Sequence, residues 1–208
     1  MVFLSYLLPI LFLIAFIAAI FTQEKGISTI AVFFFLGNLA VLYSRYNEIL
    51  TDVLKADRIH EIILHYSKVL TQIENESFES ARLKELQNQL QAPIQASAEI
   101  KTLSGLFGSL ISIQNAMASI IMNGTSMYHV HVYHTLLKWK HKHGDFVAQW
   151  LTTLGTFEAL NSLANFSYNN PNYCFPELNV KNEISFEALG HPLINGNKRV
   201  CNTVSFSE

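Results

Sequence analysis

The chain has 208 residues, half of them hydrophobic and only 14% charged, with a net charge of −2 at neutral pH. That length sets one or two domains, and the near-neutral balance excludes a global field that would gather nucleic acid, so any basic contact has to be local. Two cysteines, Cys174 and Cys201, are too few for a disulfide framework and lack zinc spacing, which suits a reducing compartment.

Val2 to Phe21 is about twenty residues without a charge, interrupted only by Ser5 and Pro9. This is long enough to cross a hydrocarbon core at about 1.5 Å per residue. A polar loop, Thr22 to Gly26, joins it to a second apolar run from Ile27 to Tyr43. Each span must satisfy its own backbone bonds in lipid, so the pair predicts a transmembrane helical hairpin over 1–45. A signal peptide is the competing reading of the first run, although no basic residue precedes it and it exceeds the usual apolar core. Arg45, Lys55 and Arg58 come after the second run, while the loop holds only Glu24 and Lys25. By the positive-inside rule, residues after about 45 belong in the cytoplasm.

From Tyr46 to about Gln91, Ile49, Val53, Ile59, Ile62, Ile63, Tyr66 and Leu70 recur at threes and fours between charges. That is the signature of amphipathic helices, read as solvated bundle helices or, more sharply, as a partner-binding arm. The stretch Glu76 to Leu90 is more polar, and Gln91-Ala92-Pro93 ends it. Leu103 to Met122 is apolar again, with Gln114 and Asn115 near its middle. Two amides at mid-depth are costly in lipid, so a buried bundle helix is expected here, with a third membrane span as the alternative.

Met127 to His143 contains five histidines: 129, 131, 134, 141 and 143. On a helix His131 and His134 share a face, and His141 lies two turns beyond. A firm metal site needs three or four ligands in fixed geometry, and none is supplied at recognised spacing, so no metal ligand is assigned. Lys138, Lys140 and Lys142 surround Trp139. Such a cluster can touch nucleic-acid phosphates while the indole stacks on a base. It can equally be the solvated end of a helix whose tryptophan packs inward, or a set of lysines near anionic lipid. Gly144-Asp145 predicts a helix stop followed by an N-cap, with a restart at Phe146.

Phe157, Leu160, Leu163, Ala164 and Tyr168 then give one apolar helical face. Asn169-Asn170-Pro171 stops that helix, because the residue before a proline is pushed out of the α region. Ile184 to Phe186 and Val200 to Phe206 favour extended structure, with Gly190 and Asn195-Gly196-Asn197 as turns.

At Glu158-Ala-Leu-Asn-Ser-Leu-Ala164, Tyr173-Cys-Phe-Pro176-Glu-Leu178, Gly190-His191-Pro192 and Asn202-Thr203, the chain resembles the MutS family. The resemblance runs from about Trp150 to Phe206, and the apolar N-terminus makes it most similar to the membrane-anchored MutS-related proteins of bacteria. In that family a long helix leads to a Tyr-x-x-Pro-x-aromatic turn, an Arg-His-Pro motif, an Asn-Asp pair and the Walker A loop. Gly190 replaces the arginine here, Thr203 the aspartate and Leu178 the aromatic that packs on adenine. The resemblance implies a rim for the adenine of ATP at Pro176, Leu178, His191 and Asn202. It also implies ATP and Mg²⁺ as cofactors of the complete family member, DNA as a candidate partner and a homodimer formed through the ATPase region. Lys138, Lys140 and Lys142, outside the resembling stretch, are candidate nucleic-acid contacts by their charge alone. No Gly-x-x-x-x-Gly-Lys-Ser/Thr and no Walker B carboxylate occur among the 208 residues, so no ATPase activity is expected of this chain by itself.

These readings give a mainly α fold. A transmembrane hairpin (1–45) is followed by a lever-like helical domain (46–170) and by the first short strands of an incomplete α/β P-loop ATPase domain (171–208). The expected setting is the inner membrane of a bacterium. The expected function is that of a membrane-anchored, DNA-linked mismatch-repair-type ATPase family, represented here as a fragment lacking its P-loop. A non-enzymatic, membrane-anchored helical scaffold is the alternative.

Overall fold

Two apolar helices open the chain, α1 (Val2–Thr22) and α2 (Lys25–Asn75), lying against each other as a hairpin. The computed structural model describes residues 2–178 and 183–207, with the side chains of 2–4, 50, 52–58 and 207 excepted. Windows over Ser5–Thr22 and Lys25–Ile49 are long and apolar enough to cross a membrane. Gln23, at φ 51°, makes the tight turn between them. The side chains of Val53, Lys55 and Arg58, on which the amphipathic pattern and the charge asymmetry partly rest, lie outside the described residues.

The amphipathic segment after residue 45 is not a new element. Helix α2 continues unbroken for 51 residues from the apolar run to Asn75. No proline or glycine occurs between Asn38 and Asn75, and Leu42, Ile49 and Leu70 are buried at successive levels along it. Nothing in the local sequence could therefore end it earlier.

Helices α3 (Ala81–Gln91) and α4 (Ala96–Ile111) fold back along α2, and the close approach of α4 depends on small side chains. Ser104 is buried, with its carbonyl and hydroxyl 2.8 and 3.1 Å from Nδ1 of His60. A Cβ at Gly108 would sit 3.0 Å from the same imidazole. At the other end, buried Glu74 takes the place of a local cap. Its carboxylate accepts from the Ser97 backbone N–H at 2.9 Å, from the Ser97 hydroxyl and from Gln95 Nε2 at 2.9 Å. A negative charge on the first turn of α4 satisfies a free N–H and complements the helix dipole. Gln87 reciprocates at the end of α2, donating to the carbonyls of Ile73 and Glu76 at 2.8 and 2.7 Å.

The apolar stretch from Leu103 to Met122 is not one helix. A single 3₁₀ turn (Ser112–Gln114) comes after α4, and α5 (Ala116–Ser126) leaves at 109° to it. The amides expected to be costly inside a helix are located at its break. Asn115 caps α5, its Oδ1 accepting from the Ala118 N–H at 3.1 Å.

Met127, left-handed at φ 50° and fully buried, turns the chain into α6 (Tyr128–Asn169). The expected stop at Gly144-Asp145 does not occur, and α6 runs through it for 42 residues. A helical glycine costs about 1 kcal/mol. Buried Trp139 and His143 before it and Trp150, Leu154 and Phe157 after it outweigh that cost. The core of helical side chains extends from Leu42 to Phe157.

The chain divides into two units, Met1–Leu160 and Asn161–Glu208. In the second, β1 (Glu183–Leu189) pairs antiparallel with β2 (Asn202–Ser207), Ile184 opposite Phe206 and Phe186 opposite Val204. The register shifts between Phe186 and Leu189, where Ala188 takes φ 51°, a bulge at the turn end of the ladder. The molecule is thus mainly helical with one two-stranded sheet among its described residues.

Candidate functional site

The four residues of the expected adenine rim all fall in the second unit. Pro176 and fully exposed Leu178 lie on the irregular segment after α6. His191 begins the turn after β1, its Nδ1 accepting from the Leu193 N–H at 3.2 Å, and Asn202 opens β2 opposite Leu189. No hydrogen bond, ion pair or ring contact joins the four to one another among the described residues.

The packed point of this unit is one the motifs did not single out. Tyr173 meets Phe166 at the end of α6, ring centres 5.8 Å apart. The Arg199 guanidinium donates to the Tyr173 hydroxyl and lies 5.2 Å from its ring centre. That hydrogen bond raises the Arg199 pKa further above its ordinary value. Arg199 also passes so close to Gly190 that a Cβ there would come within 2.6 Å of its Cδ and 2.8 Å of the Cys201 sulfur. The glycine that stands where the resembled motif has arginine is therefore the space through which Arg199 reaches the tyrosine. A lone arginine before a β-type run carries no sequence signal for such a contact.

In the first unit, Lys138, Lys140 and Lys142 are exposed on α6. Trp139 points the other way. It is buried and donates Nε1 to Glu99 Oε2 at 2.9 Å, so it is committed to α4 and not to a stacked base. The histidines are likewise dispersed into separate contacts. His143 Nε2 lies 3.4 Å from the same Glu99 oxygen, and His131 meets Tyr6 in a tilted ring contact with ring centres 4.5 Å apart. Buried His129 joins Asn123 and Ser112, its Nδ1 2.6 Å from Asn123 Nδ2 and its Nε2 2.8 Å from Ser112 Oγ. No three histidine, cysteine or acidic side chains converge to hold a metal among the described residues.

The polar side chains that organise this unit, Asn38, Glu74, Glu99 and Asn123, belong to none of the motifs. Asn38 is visible in the sequence as an amide inside an apolar run, the signal that marks it, whereas Asn123 follows the run that ends at Met122. Asn38 is buried on α2 and donates to the Gly124 carbonyl at 2.7 Å, which fastens the end of α5 to the hairpin. Comparison with known proteins finds no matching family model, no matching curated protein and no matching solved structure.

Proposed function

We propose that this chain is the membrane anchor and helical arm of a MutS-like, ATP-driven protein that acts on DNA from the bacterial inner membrane, with residues after about 45 in the cytoplasm. The observation that carries the reading is the order of features at the end of α6. Glu158 to Ala164 lie on the helix, which ends at Asn169. Tyr173 and Pro176 come next in irregular backbone, Gly190-His191-Pro192 occupy the β1–β2 connection, and Asn202 starts β2. This is the succession in which the resembled family builds the approach to its nucleotide. The two apolar helices supply the anchor, and exposed Lys138, Lys140 and Lys142 supply positive charge for phosphate contacts.

The residues present fit only the base end of ATP. Leu178, wholly exposed, can cover an adenine face, and His191 and Asn202 carry hydrogen-bonding groups for its edge. The sequence offers no glycine-rich turn for the β- and γ-phosphates and no Walker carboxylate for Mg²⁺. Nucleotide hydrolysis therefore belongs to a P-loop outside these 208 residues. Reading the coding sequence past Glu208 tests this directly. A frame that continues into Gly-x-x-x-x-Gly-Lys-Ser/Thr is expected, and a stop codon there would sink the ATP-driven reading.

One observation favours a second reading. The core from Leu42 to Phe157 lies wholly in the first unit, as a membrane-anchored helical scaffold acting through partner contacts would require. The same stop codon, with a stable product of this length in the membrane fraction, would favour it.

A further inference from the structure

We propose that residues 112–131 form a re-entrant hairpin that dips to the middle of the bilayer and leaves by the face it entered, with Met117, Ile120 and Ile121 against lipid acyl chains. The proposal rests on the α1–α2 pair being a membrane hairpin.

Depth is set by a hydrogen bond. Asn38 lies near the middle of the apolar window Lys25–Ile49, and its amide donates to the Gly124 carbonyl at 2.7 Å. The Gly124 backbone is pressed so closely on Phe35 that a Cβ would come within 2.2 Å of the ring. Phe35 meets Phe12 of α1, ring centres 5.9 Å apart. Thr125 and Ser126 line, with Phe12, Phe16 and Val32, an open apolar groove of about 970 Å³. Wherever the centre of the hairpin sits in the membrane, the end of α5 sits with it.

The direction of exit is set by the start of α6. Left-handed Met127 reverses the chain, and His131 meets Tyr6 ring to ring, at the beginning of the window Ser5–Thr22. In an antiparallel hairpin that is also the side where α2 leaves its apolar window. Ser112, on the entering leg, is held 2.8 Å from His129 on the leaving leg. That imidazole also reaches Asn123, so the contact closes the tip, and beyond it Trp139 of the leaving helix α6 donates to Glu99 of the entering helix α4 at 2.9 Å. The helices before and after the bend therefore lie on the same side, and the 109° bend before α5 is read as an entry and not as the interruption of a full span.

The chemistry of the two faces agrees. Backbone that is not part of a continuous span is tolerated at membrane depth only where protein satisfies it. Asn123 does this inside the tip, donating to the Ser119 carbonyl at 2.7 Å and accepting the His129 N–H at 3.0 Å. Met117 is 74% exposed and Ile120 and Ile121 about half exposed on α5, a helix that packs against α1 and α2, whose apolar windows also expose Ile14, Phe21, Val32 and Phe33. Acyl chains are the occupant that the shared apolar exposure of these packed helices selects.

The test uses single cysteines in the full chain carrying Cys174→Ser and Cys201→Ser, since both native thiols are free and exposed. Gln23→Cys, Gln114→Cys, Lys138→Cys and Ile121→Cys are probed with a membrane-impermeant maleimide in sealed vesicles of both orientations. The expected result is labelling of positions 114 and 138 from one side and of position 23 from the other. Position 121 should stay unreactive from both sides, and bimane attached to it should be quenched more by nitroxides deep in the acyl chain than by those at the headgroup. Labelling of 114 and 138 from opposite sides would establish a full span and overturn the proposal. So would labelling of 121 from water, which makes α5 a surface helix, or a disulfide between two copies at 121 without lipid quenching. Labelling of position 23 from the same side as 138 would instead remove the α1–α2 hairpin, and this proposal with it.

Discussion

Gly124 and His134 are the two positions where one atom or one proton decides most. A methyl at Gly124 has no room beside the Phe35 ring. Gly124→Ala should therefore cost about 1–3 kcal/mol, as overpacking in a filled interior does. The loss should shrink in a Phe35→Ala background, where the obstructing ring is gone. A denaturation-based double-mutant cycle in detergent measures this coupling, and additive losses would mean that the contact is not the cause. His134, on α6 and outside the apolar windows, is held below its ordinary pKa of 6.5 by partial burial and then by the positive charge of His131, Lys138 and Arg45. With the folded value depressed, the unfolded chain takes up the proton first as pH falls below 6.5. Stability present at neutral pH is then lost on acidification. His134→Gln should flatten the fall in stability between about pH 7 and about pH 5, and equal slopes for the two proteins would clear this residue of the effect.

At the scale of elements, the long helices are continuous because burial on both sides of a weak position outvotes that position. Gly144 is exposed with nothing within 4 Å of where a Cβ would stand. Gly144→Ala should accordingly stabilise α6 by about 0.5–1 kcal/mol through the unfolded chain's lost freedom. A lower melting temperature for this variant would show that the glycine is needed for a bend or contact. Element type was largely legible: apolar runs gave α1 and the start of α2, and β-type runs gave β1 and β2 close to their observed bounds. The breaks were less so. Gly144-Asp145 carries ordinary stop and cap signals, yet Trp139 and Trp150 on either side are buried by distant parts of the chain. In contrast, Gln114-Asn115 ends a helix because Asn115 finds a backbone N–H to cap, a choice that local composition leaves open.

For the whole molecule, the core cluster from Leu42 to Phe157 belongs to the first unit alone. A chain of residues 1–160 should therefore reach the membrane fraction, resist carbonate extraction and melt cooperatively by circular dichroism. A non-cooperative melt would mean that the first unit depends on residues 161–208. The sequence by itself determined the helical class, the apolar hairpin and the final two-stranded segment, because hydrophobic period and run length are local properties that later folding does not rewrite. For Pro176, Leu178, His191 and Asn202 it offers motif order alone, and their role is a proposal. Only the tertiary structure decided that Trp139 serves Glu99 and that Arg199 reaches Tyr173 across Gly190. It likewise decided that the amide of Asn38 holds the end of α5. Each of those side chains needs a partner, and the partner lies between 26 and 86 residues away, a separation that no local pattern can encode.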